Sequence, residues 1–489
     1  MIDPAHETAT SDDHGAPPKA SFRIKLFYGL GSAAPGAFNA LGALAMFFYN
    51  QVVGVPAVVV ALALSVTVFS DALIDVLIGN ASDQTRTRWG RRHPFLVAGL
   101  FLIPVAIYFR WHPPQDWAAD QMFWYVLATG LFLNVSFSVF EIASNALGPE
   151  LAKAYHDRTV LISYRWMIGA ATSGVATVLI YGVFLRATPE YPVGQLNPAG
   201  YGPLSLTISA IVAASILAMA LGTRHAIPRL FQPPRIADRI SLRVQAGRVI
   251  RALSNRSFLV AVTAGVFAGI TLGMESGLRL YFYTFLWGLK SGDILVLSLL
   301  AIPPPIVAAL FAPRMAERFG KKRACMTLFF LGVGFMHAPM IGKLLGLLTL
   351  EASPQLLMLL GAFAFAAGVC TIGGFIIVSS MVADIVEDVQ AATGDRAEGL
   401  LMTADSLPQR IVNSLAVAIP GLLLAWAGFP EKARPGPETL DSMMQVAWVY
   451  VPVMVLLSGL SIATWSFYRI DEAAHRRNLR ATAGGRSAG

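Results

Sequence analysis

The sequence predicts an all-α integral membrane protein: twelve spanning helices forming two six-helix bundles around a central cavity. Three observations predict it. The 489 residues are 55% hydrophobic and only 13% charged, with a mean hydropathy of +0.59, where a soluble domain carries about 25% charged residues. Apolar runs of the roughly 20 residues that a spanning helix needs recur along the whole chain. Basic residues gather in alternate short segments between those runs.

The runs fall near 26–51, 55–80, 94–111, 121–147, 160–186, 203–223, 257–288, 293–313, 324–346, 354–386, 401–427 and 443–469. Orientation follows from Lys and Arg, which are retained on the cytoplasmic side. Arg86, Arg88, Arg91 and Arg92 follow the second run, and Lys321, Lys322 and Arg323 follow the eighth. The segment 224–256 holds eight arginines against the single acid Asp238. Segments 112–120 and 187–202 are poor in both. Both termini are therefore expected to be cytoplasmic, in a multi-pass protein of the plasma (inner) membrane.

The expected organisation is a disordered cytoplasmic N-terminus over 1–22, an N-terminal bundle over 23–223, a basic cytoplasmic linker over 224–256, a C-terminal bundle over 257–470 and a cytoplasmic tail over 471–489. The first 22 residues are polar and lack the apolar core of a signal peptide. In the linker, "RISLRVQAGRVIRAL" interleaves apolar residues with arginines, a pattern that suits a membrane surface. The halves echo each other at Gly90-Arg91-Arg92 and Gly320-Lys321-Lys322. Pro35-Gly36, Pro303-Pro304-Pro305, Pro408 and Pro420 interrupt spans and predict kinks, because proline removes a backbone hydrogen bond.

Several classes are excluded. Cys325 and Cys370 lie in or beside apolar runs and make neither a disulfide framework nor a metal site. His93 and His337 have no metal-spaced partner and read as structural. No catalytic or nucleotide-binding motif is present, so neither an enzyme nor an ATP-driven pump is expected. No cofactor and no nucleic-acid partner are expected.

The informative residues are charges inside apolar runs. A carboxylate near a helix centre costs about 2.5–3.5 kcal/mol to insert and marks a functional site by default. Asp71 and Asp75 share one helix face, since i and i+4 neighbours have Cβ atoms about 5–6 Å apart. Two like charges that close repel. A shared proton or a bound monovalent cation relieves the strain, and hard cations prefer oxygen ligands. The pair thus reads as an H⁺ or Na⁺ site. Glu141, Arg165, Glu275, Arg279, Asp405 and Arg410 are further charges inside spans. Glu141 and Arg165 are expected to pair or to grip sugar hydroxyls, and Glu275 and Arg279 to satisfy each other at i,i+4.

The stretch "DALIDVLIGNASDQTRTRWGRRHPF", 71–95, resembles the signature of the glycoside–pentoside–hexuronide:cation symporters, the melibiose-permease-like branch of the major facilitator superfamily. "MVADIVEDVQAATGDRAEG", 381–399, resembles that family's cytoplasmic stretch after the tenth helix. "GPE" at 148–150 and "SYR" at 163–165 also fit. The resemblance covers about 26–470. It implies a major-facilitator-type fold, with Asp71 and Asp75 as the carboxylates of a cation site and Ser138 where a threonine hydroxyl helps ligate the cation. It implies Glu141 and Arg165 as sugar ligands, and Arg410 near a cavity-facing lysine. There are departures. Val76 replaces a proline. Ile74 replaces an asparagine that helps bind Na⁺, which favours H⁺. Gly36 stands where the first helix carries a sugar-binding acid, with Asn39 one turn on. Asn145 replaces a sugar-stacking tryptophan.

The leading functional expectation is cation-coupled symport of a sugar or glycoside by alternating access. Glu141, Arg165, Asn145, Asn39, Trp166, Tyr164 and Arg410 are the substrate set, and Asp71, Asp75 and Ser138 the cation set. The lost acid and tryptophan leave a lysolipid or other amphiphile carrier as the alternative. A non-transporting membrane sensor is the reading from another class. Expected partners are the substrate, the coupling cation and membrane lipid, acting on a monomer. The basic loops are expected to latch the halves on the cytoplasmic side through Asp83, Arg91, Arg92, Asp384 and Asp388, with Glu317 and Glu387 as further acids.

Overall fold

The computed structural model describes residues 21–152, 155–229, 256–393 and 398–468. Expectations for the polar N-terminus to residue 20, the linker over 230–255 and the tail beyond 468 lie outside the described residues. Inside a bilayer every backbone amide must be satisfied within the chain, so long apolar runs become helices.

The helices are α1 (Phe22–Val53, in pieces), α2 (Ala57–Gln84), α3 (His93–Trp111), α4 (Ala119–Leu151), α5 (Tyr155–Val178, extended by Leu179–Phe184) and α6 (Tyr201–Thr223). They continue as α7 (Arg256–Tyr281, extended by Phe282–Leu286), α8 (Ser291–Leu299 and Pro304–Phe319), α9 (Lys321–Leu344), α10 (Pro354–Thr393), α11 (Glu398–Trp426) and α12 (Pro437–Trp465). Among the described residues, 11 helices are long and apolar enough to cross a membrane, and Val412–Trp426 of α11 is a shorter apolar helix. The chain is a multi-pass membrane protein.

Packing repeats between the halves. In the first half α1 packs on α5 and α6, α2 on α4, α3 on α4 and α6. In the second, α7 packs on α11 and α12, α8 on α10, α9 on α10 and α12. Every pair maps onto its counterpart six helices later. Of the crossings that join the halves, α2 with α11 and α5 with α8 map onto each other in the same way, and α1 with α7 maps onto itself. This is the two-bundle architecture of the sequence reading.

The prolines act unequally. α8 breaks before Pro304, and α1 is irregular around Gly31-Ser32 and Ala43-Leu44. α11 runs on as helix through Pro408 and Pro420 instead of breaking. Pro420 sits where α7 comes close: a Cβ on Gly277 would lie 2.5 Å from its Cγ. The crossing of α1 with α5 is closer still. A Cβ on Gly36 would lie 2.3 Å from the backbone oxygen of Gly169, so no side chain fits at 36. Small residues of this kind let membrane helices approach. Gly36→Val is expected to lower the folded yield or melting temperature, because overpacking costs about 1–3 kcal/mol. Unchanged thermal unfolding of that variant would contradict the close crossing.

α1 and α7 end alike, a repeat visible in "MFFYNQVVG" (46–54) and "LYFYTFLWG" (280–288). Each finishes in a widened turn with a hydrogen bond five residues long: Gly54 N to Tyr49 O at 3.0 Å and Trp287 N to Phe282 O at 2.9 Å. Gly54 and Gly288 close these turns at φ +95° and +63°. Glycine alone adopts that region at no steric cost.

Both turns belong to a seal at the face opposite the basic loops. Phe47, Tyr281, Phe285 and Phe429 form one aromatic cluster across the halves, with neighbouring centroids 4.9–6.4 Å apart. Two buried glutamines of the first half clamp backbone and hydroxyls of the second. Gln51 donates to Pro430 O at 3.1 Å and accepts from Ala433 N at 2.9 Å. Gln195 donates to Thr284 Oγ1 at 3.0 Å and Leu289 O at 3.1 Å, and accepts from Ser291 Oγ at 2.7 Å. Tyr281 donates to Asn50 Oδ1 at 2.9 Å.

Candidate functional site

α2 and α4 pack side by side and bring the cation candidates together. Ser138 Oγ donates to Asp75 Oδ1 at 2.6 Å. Asp71 and Asp75 both line a cavity of about 740 Å³ inside the first half, shared with Ser138, Glu141 and Asn145. The i,i+4 spacing puts both carboxylates on one wall, and α4 supplies the hydroxyl opposite. Among the described residues no three His, Cys, Asp or Glu converge as a metal cluster. Two carboxylates and a hydroxyl suit a proton or a monovalent cation.

A second cavity, of about 670 Å³, lies between α1, α4 and α5. Asn39, Glu141, Asn145, Arg165 and Trp166 line it. Glu141 and Asn145 thus face both cavities, and the cation and substrate candidates share a wall. Arg158, Leu161, Ile162, Arg165, Trp166, Gly169, Ala170 and Ser173 are the α5 contribution, one helical stripe.

Two expectations change here. Tyr164 is not in the cavity: one residue before Arg165, it points to α1, its ring edge-on to Phe22 at 6.4 Å and its Cβ close to Gly29. Glu141 and Arg165 share the cavity without an ion pair. Arg165 donates instead to Ser144 Oγ at 2.6 Å and lies over the Tyr28 ring at 5.1 Å, which leaves the Glu141 carboxylate toward the cavity. Gly36 lines the second cavity as backbone only, for the steric reason given above. The side chains of Arg410, Asp388, Glu387 and Asp405 lie outside the described residues.

Among the described residues, the ion pairs seen at the basic loops lie within each half. Arg91 donates to Glu150 Oε1 at 2.7 and 3.1 Å, and Arg92 reaches Glu150 at 3.2 Å and Asp83 at 2.6 Å. Lys321 pairs with Asp384 at 2.6 Å, and Tyr468 donates to the same carboxylate at 3.2 Å. These pairs staple α2, α3 and α4 together, and α9 to α10. The described hydrogen bonds between the halves instead join residues 46–65, 195, 281–291, 414 and 430–433. Glu387 and Asp388, the other acids of the expected latch, have side chains outside the described residues. Glu275 and Arg279 meet at 4.0 Å as expected. They line a small cavity of about 100 Å³ in the second half with His337, which is buried near the Tyr450 ring.

Sequence reasoning missed Glu150, Gln51, Gln195 and Arg110. Glu150 was visible in "GPE", and the glutamines sit beside the repeated α1 and α7 endings. Arg110, in the last turn of α3, lines the first cavity.

Comparison with known proteins places this geometry. A family model described as MFS/sugar transport protein matches residues 27–472. An uncharacterized symporter of Synechocystis is 26% identical over 95% of this chain and 97% of its own length. The isoprimeverose transporter of Lactiplantibacillus pentosus is 23% identical over 89% of this chain and 86% of its own. Among solved structures, a bacterial homolog of the human lysosomal transporter Spinster, inward-facing and unoccupied, superposes with a TM-score of 0.62 at 12% identity, covering 94% of this chain and 100% of its own. That likeness concerns the fold alone.

Proposed function

This chain belongs to the MFS/sugar transport protein family, and we propose that it is a secondary active transporter coupling a proton or Na⁺ to a sugar or glycoside. The observation that carries the reading is the shared wall: Glu141 and Asn145 face both the cavity of Asp71, Asp75 and Ser138 and the cavity of Arg165 and Trp166. The names of the Synechocystis and Lactiplantibacillus relatives, a symporter and a sugar transporter, support it.

The mechanism follows from charge. Empty, the Asp71 and Asp75 carboxylates repel each other and the nearby Glu141. A proton or cation at Asp75, with the Ser138 hydroxyl as a further ligand, removes that repulsion. Glu141 and Arg165 then hold substrate hydroxyls between the bundles. Each ligand raises the other's affinity by the same factor. With the basic loops cytoplasmic, the sealed face is the outer one and this conformation opens inward. Rocking of the two bundles exchanges the seal for one on the basic-loop side. There Asp83, Arg91, Arg92 and Asp384 are the charged residues placed to form it.

The test is reconstitution in vesicles loaded with a pH-sensitive dye, challenged with mono- and disaccharides, glycosides and hexuronates, with and without Na⁺. A sugar-driven pH change is expected. Uptake stimulated only by Na⁺ would move the coupling to Na⁺. Silence across the sugars, beside an active control protein, would reject the sugar reading and make lysolipids the next panel.

A further inference from the structure

Arg110 is 3% exposed and sits at the closed end of the first-half cavity. Its Nη1 donates to Val126 O at 2.6 Å and to Thr129 Oγ1 at 3.2 Å. Its guanidinium lies 4.8 Å from the Tyr49 ring centroid. Among the described residues no Asp or Glu forms an ion pair with it. The C-terminal end of α3, a carbonyl and a ring face all favour a cation there. They supply partial charges only, and a buried full charge without a counter-charge is costly.

The bonds to Val126 and Thr129 occupy Nη1. The opposite edge, Nε and Nη2, carries three N–H donors; the Tyr49 hydroxyl lies within reach of the guanidinium, and among the described residues no carboxylate takes that edge. That edge is the planar fork which holds a carboxylate with two parallel hydrogen bonds. The second half offers an internal control. Lys343, in the last turn of α9, lies 4.9 Å from the Trp287 ring, as Arg110 does over Tyr49. The basic residue on an aromatic ring is thus a repeated structural feature. The two described cavities differ here: Arg110 lines the large cavity of the first half, whereas the small cavity of the second half is lined by Trp287 but not by Lys343.

We propose that the closed end of the first-half cavity is a monoanion site, in which the Nε–Nη2 edge of Arg110 takes a carboxylate of the transported molecule or a free halide. Thr67, Asn134 and Trp111 line the same end, and Asp71 follows one helical turn along α2 from Thr67. The Arg110 charge therefore opposes a cation arriving at Asp71 and Asp75. An anion on Arg110 cancels that opposition, so anion and coupling cation tighten each other.

Binding tests this without transport, so failure here leaves symport standing, and failure of symport leaves this site standing. Thermal unfolding of the full-length purified protein is followed with a bulky sulfonate as background anion. The probes are bromide, acetate and the neutral isostere acetamide. A saturable stabilisation by bromide or acetate, absent with acetamide, is expected, and Arg110→Gln is expected to weaken it at least tenfold. Acetate alone would identify a carboxylate, and bromide alone a free halide. Arg110→Lys keeps the charge and loses the fork. It is expected to spare bromide and weaken acetate, and it decides the matter if the Gln variant does not fold. Absence of any anion response in the wild type, or responses unchanged in both variants, would overturn the proposal.

Discussion

Asp75→Asn is expected to abolish coupled transport while leaving the protein folded and inserted. The substitution removes one full charge from the cation and keeps an oxygen for the Ser138 hydroxyl, which now bonds Asp75 at 2.6 Å. Two charges about 4 Å apart interact by about 4 kcal/mol at an effective dielectric near 20. Losing that is roughly a thousandfold in cation affinity. Substrate-driven ion movement should vanish, whereas exchange of substrate across the membrane, which needs no net coupling, should persist in part. Size-exclusion profile and melting temperature serve as folding controls. Normal coupled uptake by a well-folded Asp75→Asn protein would remove the cation site from α2.

The double variant Gln51→Ala, Gln195→Ala is expected to open the sealed face. The two carboxamides make five hydrogen bonds between the halves. A net contribution of about 0.5–1.5 kcal/mol each amounts to about 2.5–7.5 kcal/mol, enough to move a closed majority to an open one. The loss is one-sided. Thr284, Ser291 and the Leu289 carbonyl are left buried and unsatisfied when the seal is closed, and are hydrated when it opens. The readout is labelling of Ala45→Cys, which lines the first cavity beneath the seal, by a membrane-impermeant thiol reagent. The native Cys325 and Cys370 are replaced beforehand. Labelling no faster in the double variant than in its parent would show that the aromatic cluster closes this face without the glutamines.

What was legible in the sequence divides by the range of the physics. The spans, the two halves and the carboxylate pair are local consequences of composition. An apolar run of sufficient length must be helical in lipid, and two carboxylates at i,i+4 must share a face whatever surrounds them. Even the contrast between Arg165 in a cavity and Tyr164 outside it is a matter of helical phase, available once one cavity-facing residue is known. The Glu141–Arg165 pair failed for a different reason. Opposite charges on neighbouring helices have several competing partners, and the rotamer that reaches Ser144 and the Tyr28 ring won.

Sequence by itself determined a twelve-helix membrane protein with an acidic cation candidate on α2 and a family membership. Tertiary structure alone decided which face is sealed, that Arg91, Arg92 and Lys321 find acids of their own halves, that Gly36 excludes a side chain, and that Arg110 ends a cavity with no carboxylate partner among the described residues. Hydropathy and helical periodicity act along one chain segment and are written in it. Seals, close crossings and unpaired charges depend on distances between segments far apart in sequence, and those distances exist only once the helices have packed.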